Sequence, residues 1–199
     1  MKSYSSNYPN QVHLMSVVAS KHLYLLADGR IKYQDKPIET KLEKVSESPK
    51  NVLVHMVIAD HTSGTIYGET FSSRDMLDPV GFLRRAWNRK EHTFFCGVPE
   101  FLSVPKVADG LWPEIRAYAT TNLVDVVNPT SGFQGGAIHP RLWEKEIQMW
   151  GLYGTLEAHR DLASLSRYCQ KSCNEHEPTR KQRWFAEVPG RPELRFPKD

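Results

Sequence analysis

The sequence predicts an α/β fold in which helices pack on a mixed β-sheet. Three segments with strand patterns come first, and helical and strand patterns alternate after them up to a last helical segment at residues 161–175. Hairpins join antiparallel strands, whereas strands separated by helices are usually parallel, so this order predicts a sheet of both kinds. The 199 residues are enough for one substantial core, and we expect one domain with extensions.

The early strands are predicted from their apolar composition and from the turns between them. Residues 11–26 (QVHLMSVVASKHLYLL) mix β-branched and aromatic side chains, and the Asp-Gly pair in residues 27–30 is typical of a tight turn. Residues 51–60 (NVLVHMVIAD) form a nearly continuous apolar run, and an HTSG turn leads into the alternating pattern of residues 65–71. These last two runs predict a β-hairpin.

The first helix is predicted by its cap and by its apolar face. Asp78 is a candidate N-cap, and Pro79 suits the first turn of a helix. Val80, Leu83 and Trp87 then follow at the spacing that places side chains on one helical face.

The later elements are predicted to alternate. Strands are expected in residues 101–110, ending at Asp109 and Gly110, and in residues 122–128. Helices are expected in residues 113–121, 140–154 and 161–175.

Two segments are predicted to lie outside the regular core. Residues 33–51 are polar and charged and contain two prolines, so we expect an exposed insertion with one short helical turn. Residues 176–199 are basic and rich in proline. We therefore expect a core of residues 1–175 followed by an irregular C-terminal tail.

The composition indicates a soluble globular protein for which a polyanionic partner is permitted but not required. Hydrophobic residues make up 40%, charged residues make up 25%, and the net charge is +3. The longest apolar runs, such as residues 52–59, are too short to cross a bilayer, and the first residues lack the apolar segment of a secretory signal. Three cysteines do not suit a disulfide framework, so we expect a reducing, cytoplasmic location.

Several local sequences, in their order, resemble the catalytic core of the retroviral integrase and transposase superfamily. VIADHTSGTIYGE (57–69) is similar to that family's second and third strands, and GVPEFLSVPKVADG (97–110) is similar to the passage ending in its Asp-Asn-Gly motif. NPTSGFQGG (128–136) is similar to the small-residue loop before the catalytic glutamate helix, and SRYCQKSCNEHEPTR (166–180) is similar to the closing helix.

The resemblance covers roughly residues 9–197, and it implies a ribonuclease-H-like fold with a mixed five-stranded sheet. The tail RWFAEVPGRPELRFP (183–197) resembles the linker of bacterial transposases of the phage-Mu-like kind.

The resemblance also implies a DNA-processing site in which two Asp and one Glu hold two divalent ions, Mg²⁺ or Mn²⁺. Matched residue by residue, the second Asp falls on Asp109, which precedes Gly110. Ser16 occupies the place of the first acid, and His139, three residues after Gly136, occupies the place of the Glu. Because these hard cations need carboxylate oxygens, we expect metal binding to be weak or absent and catalysis to be impaired.

A second triad, Asp60, Asp109 and Glu144, remains open because its last two members have a spacing similar to the family's own. The strand order argues against it, since Asp60 closes the segment matched to the family's second strand. Glu144 also lies five residues after His139, which turns it about 140° around a helix from that position.

The expected partners are DNA and either a second copy of the chain or an active transposase. Candidate phosphate-contacting side chains are Arg84, Arg85, Arg89, Lys90, Arg180, Lys181 and Arg183. The sequence therefore predicts an integrase- or transposase-type core domain in DNA integration or recombination, catalytically impaired in this copy. A non-catalytic protein-interaction or regulatory module with the same fold is the alternative.

Overall fold

Helices cover both faces of a mixed sheet in the computed structural model, which describes residues 6–129, 138–175 and 178–198. The strands are β1 (Val12–Leu25), β2 (Ile31–Tyr33), β3 (Asn51–Asp60), β4 (Ile66–Ser72), β5 (Phe101–Ser103) and β6 (Asp125–Val127). The helices are α1 (Pro79–Trp87), α2 (Lys106–Leu111), α3 (Glu114–Thr121), α4 (Ile138–Tyr153), α5 (Leu162–Glu175) and α6 (Pro178–Phe185). Within these ranges, no helix is long and apolar enough to cross a membrane.

The sheet has the strand order β4-β3-β1-β5-β6, and β2 pairs with the end of β1. The pairs β1–β3 and β3–β4 are antiparallel, whereas β1–β5 and β5–β6 are parallel. The predicted mixed α/β sheet is therefore confirmed. The described residues form six strands rather than five, because the tight turn through Gly29, at φ 81°, lets β2 return along β1.

Strand β3 is mostly apolar because helices cover both of its faces. Val54, Met56 and Ile58 point into the core beneath α1 and α3, and Leu53 and Val57 point into the core beneath α4 and α5. A strand covered on both sides has no solvent-facing positions that would favour polar residues. This explains the nearly continuous apolar run, and the antiparallel β3–β4 register confirms the predicted hairpin.

Helix α1 begins as the sequence predicts. The Asp78 carboxylate accepts a hydrogen bond of 2.7 Å from the backbone N–H of Gly81, and Pro79 occupies the first turn. Leu83 and Trp87 are completely buried on the face that packs on the sheet. The cap fixes the start of α1, and the two buried side chains fix the face that it presents to the sheet.

The insertion at residues 33–51 is anchored to the core by two apolar side chains. It contains 3₁₀-helical turns at Leu42–Glu47 with a kink at Lys44, where the sequence predicts one short helical turn. Ile38 and Val45 are buried in the same core cluster as Met15 and Val17 of β1. The polar remainder of the insertion therefore lies along one wall of the molecule at a fixed place.

The C-terminal segment is more regular than its composition indicates. Residues 178–185 form α6, where the sequence analysis expects irregular chain. Trp184 is buried against the ring of Phe95, with ring centroids 5.4 Å apart. One large aromatic side chain supplies enough buried apolar surface to tie this short helix to the core despite its many charges.

Candidate functional site

An open cleft of about 990 Å³ lies where β5 ends beside the middle of β1. Leu14 is the last residue of β1 that pairs with β5, and β1 continues beyond it. The end of β5 therefore leaves a gap beside β1 in the sheet. The walls are β1 itself, residues 40–43 of the insertion, the start of α2 and the first turns of α4. Open α/β sheets commonly bind their ligands at such carboxyl ends of parallel strands.

The parallel pairing shows where the gap begins. Val12, His13 and Leu14 pair with Phe101, Leu102 and Ser103, and β5 ends there. Beyond this end, Ser16 of β1 and Pro105, the residue before α2, both line the cleft. Neither of these two side chains is a carboxylate.

Asp109 does not lie at a strand end, and this corrects the sequence expectation. β5 ends at Ser103, and Asp109 is the fourth residue of α2. Pro105 accounts for the difference, because it has no N–H to donate to a sheet and instead precedes the first turn of a helix. The segment that reads as one strand in the sequence is a strand of three residues followed by a helix.

The Asp109 carboxylate is occupied by neighbouring donors. Arg116 donates to both of its oxygens, at 2.7 and 2.6 Å, and the Asn128 amide donates at 2.9 Å. The hydrogen bonds from Arg116 hold the pKa of the Asp109 carboxyl below its ordinary value. A carboxylate held by a bidentate guanidinium has lone pairs already engaged, so it is poorly suited to bridging metal ions.

His139 and Glu144 both belong to α4 but differ in their surroundings. His139 is the second residue of the helix and is half-buried beside Pro140, which lines the cleft. Glu144 also lines the cleft, where its carboxylate accepts a hydrogen bond of 2.5 Å from the Ser20 hydroxyl of β1. The residues of α4 that line the cleft are Pro140, Arg141 and Glu144, so His139, which the resemblance matches to the glutamate, lies next to this lining in sequence.

Asp60 stabilises the turn between β3 and β4. It is completely buried, and its carboxylate accepts hydrogen bonds from the backbone N–H of Asn10 and from the N–H and hydroxyl of Ser63, at 2.6–2.7 Å. Burial raises the pKa of the Asp60 carboxyl, although these hydrogen bonds oppose the shift. The geometry is that of a capped turn.

The structure does not bring Asp60, Asp109 and Glu144 together. Asp60 lies opposite His13, near the start of β1, whereas Glu144 contacts Ser20. Seven strand residues separate these two points of β1, a distance of about 20 Å. Across the described ranges, no group of three or more His, Cys, Asp or Glu side chains is placed to hold a metal ion.

The residues around the gap do not fit a pair of divalent cations. Ser16 and Pro105, which line it, supply one hydroxyl and one apolar ring. Mg²⁺ and Mn²⁺ prefer several carboxylate oxygens, and a second ion nearby requires more negative charge still. The acid that does line the cleft on α4, Glu144, is bound to Ser20.

Most of the basic residues predicted to contact DNA have structural partners. Arg85 forms a bidentate ion pair with Glu69, and the Lys90 ammonium donates to three carbonyl oxygens at the end of α1. Burial lowers the pKa of Lys90 to about 8. Arg180 donates to the Cys173 carbonyl.

The remaining members of that set lie on the surface. The Arg89 guanidinium stacks over the Phe196 ring at 4.7 Å, which ties the tail to α1. Arg84, Lys181 and Arg183 are exposed. Of the seven predicted positions, these three are therefore exposed cations for which no ion pair, carbonyl contact or ring contact of the kinds just given is described.

Sequence reasoning missed Pro105 and the cations of the cleft. Lys21, Lys41 and Arg141 come from β1, the insertion and α4, and they meet only through the fold. The one local signal was a proline two residues after a short apolar strand, which should have ended the strand there.

Two solved structures share this fold at low sequence identity. The simian T-cell lymphotropic virus intasome in complex with the PP2A regulatory subunit B56 gamma matches 98% of this chain, with a TM-score of 0.57 and 11% identity. The magnesium complex of the HTLV-2 integrase catalytic core domain, in its dimeric form, matches 90% of this chain, with a TM-score of 0.50 and 14% identity. This chain spans 60% of the matched intasome chain and 98% of the matched core domain. No protein-family model and no curated protein sequence matches it.

The matches agree with the observed topology. A central antiparallel pair, a parallel strand added beside β1 and helices on both faces occur here in chain order. The chain therefore has the ribonuclease-H-like α/β fold of retroviral integrase catalytic cores.

Proposed function

We propose that this chain is a non-catalytic integrase-fold domain that takes part in DNA integration or recombination within a nucleoprotein assembly. The observation that carries the proposal is the lining of the cleft where β5 ends, which contains both Ser16 and Pro105. Neither side chain is a carboxylate, and the resemblance matches His139, at the start of α4, to the glutamate. The fold supports a role beside DNA, and the chemistry of these three positions argues against strand cleavage.

The structural similarity to integrase cores supports DNA as the partner of this chain. The tail sequence supports a relationship to phage-Mu-like transposases. The matched intasome and core domain are retroviral, so the bacterial relationship rests on residues 183–197 alone. In this proposal Mg²⁺ or Mn²⁺ binds weakly or not at all. The chain would occupy the place of a catalytic subunit without performing its reaction.

We expect purified protein to show no nicking or strand transfer of a labelled DNA duplex with Mg²⁺ or Mn²⁺. The triple variant Ser16→Asp, Pro105→Asp, His139→Glu restores three carboxylates and should bind Mn²⁺ at least about tenfold more tightly, because carboxylates supply the missing charge. Calorimetric titration with Mn²⁺ measures this change. The same titration of Asp109→Asn is the control, since Asp109 is engaged by Arg116.

Metal-dependent nicking by the unmodified protein would contradict the proposal. Loss of that activity in Asp109→Asn and Glu144→Gln would favour the second triad, Asp60, Asp109 and Glu144. Mn²⁺ binding gained only in the triple variant would support a site formed by positions 16, 105 and 139, with Pro105 in the place that the resemblance gave to Asp109.

Exposed apolar side chains on α4 favour self-association as part of the same role. Met149 and Tyr153 are four residues apart on one face of the helix and are 60% and 83% exposed. Leu156, just beyond the helix, is 91% exposed. We propose that this face contacts a second copy of the chain, as the dimeric form of the HTLV-2 core domain supports.

We expect the protein to form a dimer in light-scattering chromatography, because this apolar face is then removed from water. Met149→Lys with Tyr153→Lys should weaken the dimer at least about tenfold, since two charges would be buried at the contact. Met76→Lys is the matched control, because Met76 is 93% exposed and lies elsewhere. A monomer at all concentrations, or a dimer unaffected by the double variant, would remove this surface from the proposal.

A further inference from the structure

The cleft beside Ser16 carries cations from three separate elements of the fold. Lys21 belongs to β1, Lys41 precedes the 3₁₀ helix of the insertion, and Arg141 belongs to the first turns of α4. All three residues are exposed within the cleft. Side chains separated by so many residues are brought to one place only by the tertiary fold.

The acidic groups of the cleft oppose these cations incompletely. Among the described residues that line it, the acids are Glu43 and Glu144. Glu144 is turned to the Ser20 hydroxyl, which donates to it at 2.5 Å. Ser20 is in turn fixed, because its oxygen accepts hydrogen bonds from the backbone N–H groups of His22 and Leu23. The formal charge of the lining is positive, because three cations face two carboxylates. One of these carboxylates, Glu144, is hydrogen-bonded to the Ser20 hydroxyl.

The orientation of α4 adds to the positive potential. Its first residues line the cleft, and its first turn contains no acidic residue. The start of a helix carries a partial positive charge from its aligned peptide dipoles. The sixteen-residue helix therefore acts in the same direction as Lys21, Lys41 and Arg141.

Apolar residues also line the cleft. They include Leu14, Pro105, Val107, Pro129 and Pro140. The cleft volume of about 990 Å³ is large for a single small anion. A chain with regularly placed anions and less polar parts between them suits a lining of both kinds.

We infer that this cleft binds the phosphodiester backbone of DNA directly through Lys21, Lys41 and Arg141, without a divalent metal ion. The inference rests on the proposed function and specifies its DNA contact. A site that holds phosphates through bridging metal ions needs carboxylates, whereas this one presents ammonium and guanidinium groups at the same gap in the sheet. Lys41 gives the insertion a role, because it brings a cation over the open end of β5.

The test is fluorescence anisotropy with a labelled DNA duplex in buffer containing EDTA, repeated at several salt concentrations. The double variant Lys41→Ala, Arg141→Ala should bind about tenfold or more weakly near 0.1 M salt, and the slope of log affinity against log salt should fall by about two. The matched control is Lys44→Ala, Lys145→Ala, which removes two exposed cations from the same elements outside the cleft. Thermal unfolding of each variant confirms that it is folded.

The outcomes separate this inference from the proposed function. Equal losses in the two double variants, or no loss in either, would overturn the cleft assignment and leave DNA binding elsewhere on the domain. Binding that requires Mg²⁺ would also overturn it. Absence of binding at low salt would remove both the inference and the DNA role. Displacement of the duplex by inorganic phosphate, at an ionic strength matched with chloride, would assign the site to small anions instead of a backbone.

Discussion

Replacing Gln170 by alanine should lower the free energy of unfolding by about 1–3 kcal/mol, because the buried Gly68 N–H loses its partner and the Ile66 carbonyl keeps only the Asn174 amide. The Gln170 amide oxygen accepts from the Gly68 N–H at 3.0 Å, and its NH₂ donates to the Ile66 carbonyl. Gly68 and Ile66 are buried beneath α5, so water does not readily replace these bonds. Buried backbone groups without a partner carry their full desolvation cost.

Gln170 belongs to a row of side chains on α5 that completes the edge strand β4. Four helical residues advance about 6 Å and two strand residues about 6.7 Å, so side chains at every fourth helical position can follow alternate strand residues. The three N–H contacts run from Thr70 to Ser166, from Gly68 to Gln170 and from Ile66 to Asn174, at 2.9–3.0 Å. The helix thereby covers an edge that would otherwise be open to pairing with another chain.

Urea unfolding followed by circular dichroism measures the effect. Lys171→Ala is the matched control, because Lys171 is exposed on the same helix and forms only a surface pair with Glu175; we expect a change below about 0.5 kcal/mol. Gln170→Leu should be at least as destabilising as Gln170→Ala, since it fills the space without a donor or acceptor. A loss below about 0.5 kcal/mol in both Gln170 variants would show that the edge contact contributes little.

The fold could be predicted because its main elements are specified locally. Asp78 followed by Pro79 and then by Leu83 and Trp87 contains the cap, the first turn and the buried face of α1 within ten residues. The apolar run of β3 likewise reports that both faces of the strand are covered. Periodicity and capping are short-range properties, so a single sequence is enough to read them.

The site could not be predicted to the same degree, because it depends on which residues face each other across strands. The Asp-Gly pair at residues 109–110 matched a motif, but Pro105 ends the strand earlier and α2 carries Asp109 to Arg116. Ser16 and Pro105 line one cleft because Leu14 pairs with Ser103 in parallel strands that are far apart in the chain. No local pattern sets that register.

The role of the polar residues on α5 was not predicted from the sequence. Ser166, Gln170 and Asn174 are buried, and they bond the edge of β4. Their role depends on the position of β4 at the end of the strand order. The spacing of these side chains can be seen in the sequence. The sequence does not show that β4 is an edge strand whose N–H groups these side chains bind.

Two buried histidines should make the protein unstable in mild acid. His13 and His55 are completely enclosed, and burial lowers the pKa of each to about 3, with the nearby Lys90 adding to the shift at His13. The Trp87 indole N–H donates to Nδ1 of His13 at 3.2 Å, which fixes that nitrogen as an acceptor. Nδ1 of His55 lies 3.0 Å from the Thr70 hydroxyl oxygen. Each ring is neutral in the folded protein.

The direction of the pH effect follows from these shifts. In the unfolded chain a histidine takes up a proton near pH 6.5, whereas these two rings stay neutral in the folded state until about pH 3. Stability is therefore unaffected above pH 6.5 and falls below it, by about 1.4 kcal/mol per pH unit for each histidine. Between pH 6.5 and 4.5 the two together remove about 5 kcal/mol. Asp60 offsets part of this, because its raised pKa favours the folded state as protonation begins.

Urea unfolding at a series of pH values from 7.5 to 4.5 tests this prediction. The quantity to compare is the slope of the unfolding free energy against pH, and not the stability at one pH. His13→Gln keeps an acceptor for the Trp87 indole and removes one titrating ring, so the loss of stability per pH unit should fall to about half. His55→Gln should have the same effect on the slope, and the double variant should leave little pH dependence in this range. Unchanged slopes in both single variants would mean that other groups set the acid sensitivity. Because the slope counts protons taken up on unfolding, a substitution that merely loosens the core lowers the whole curve without altering its slope.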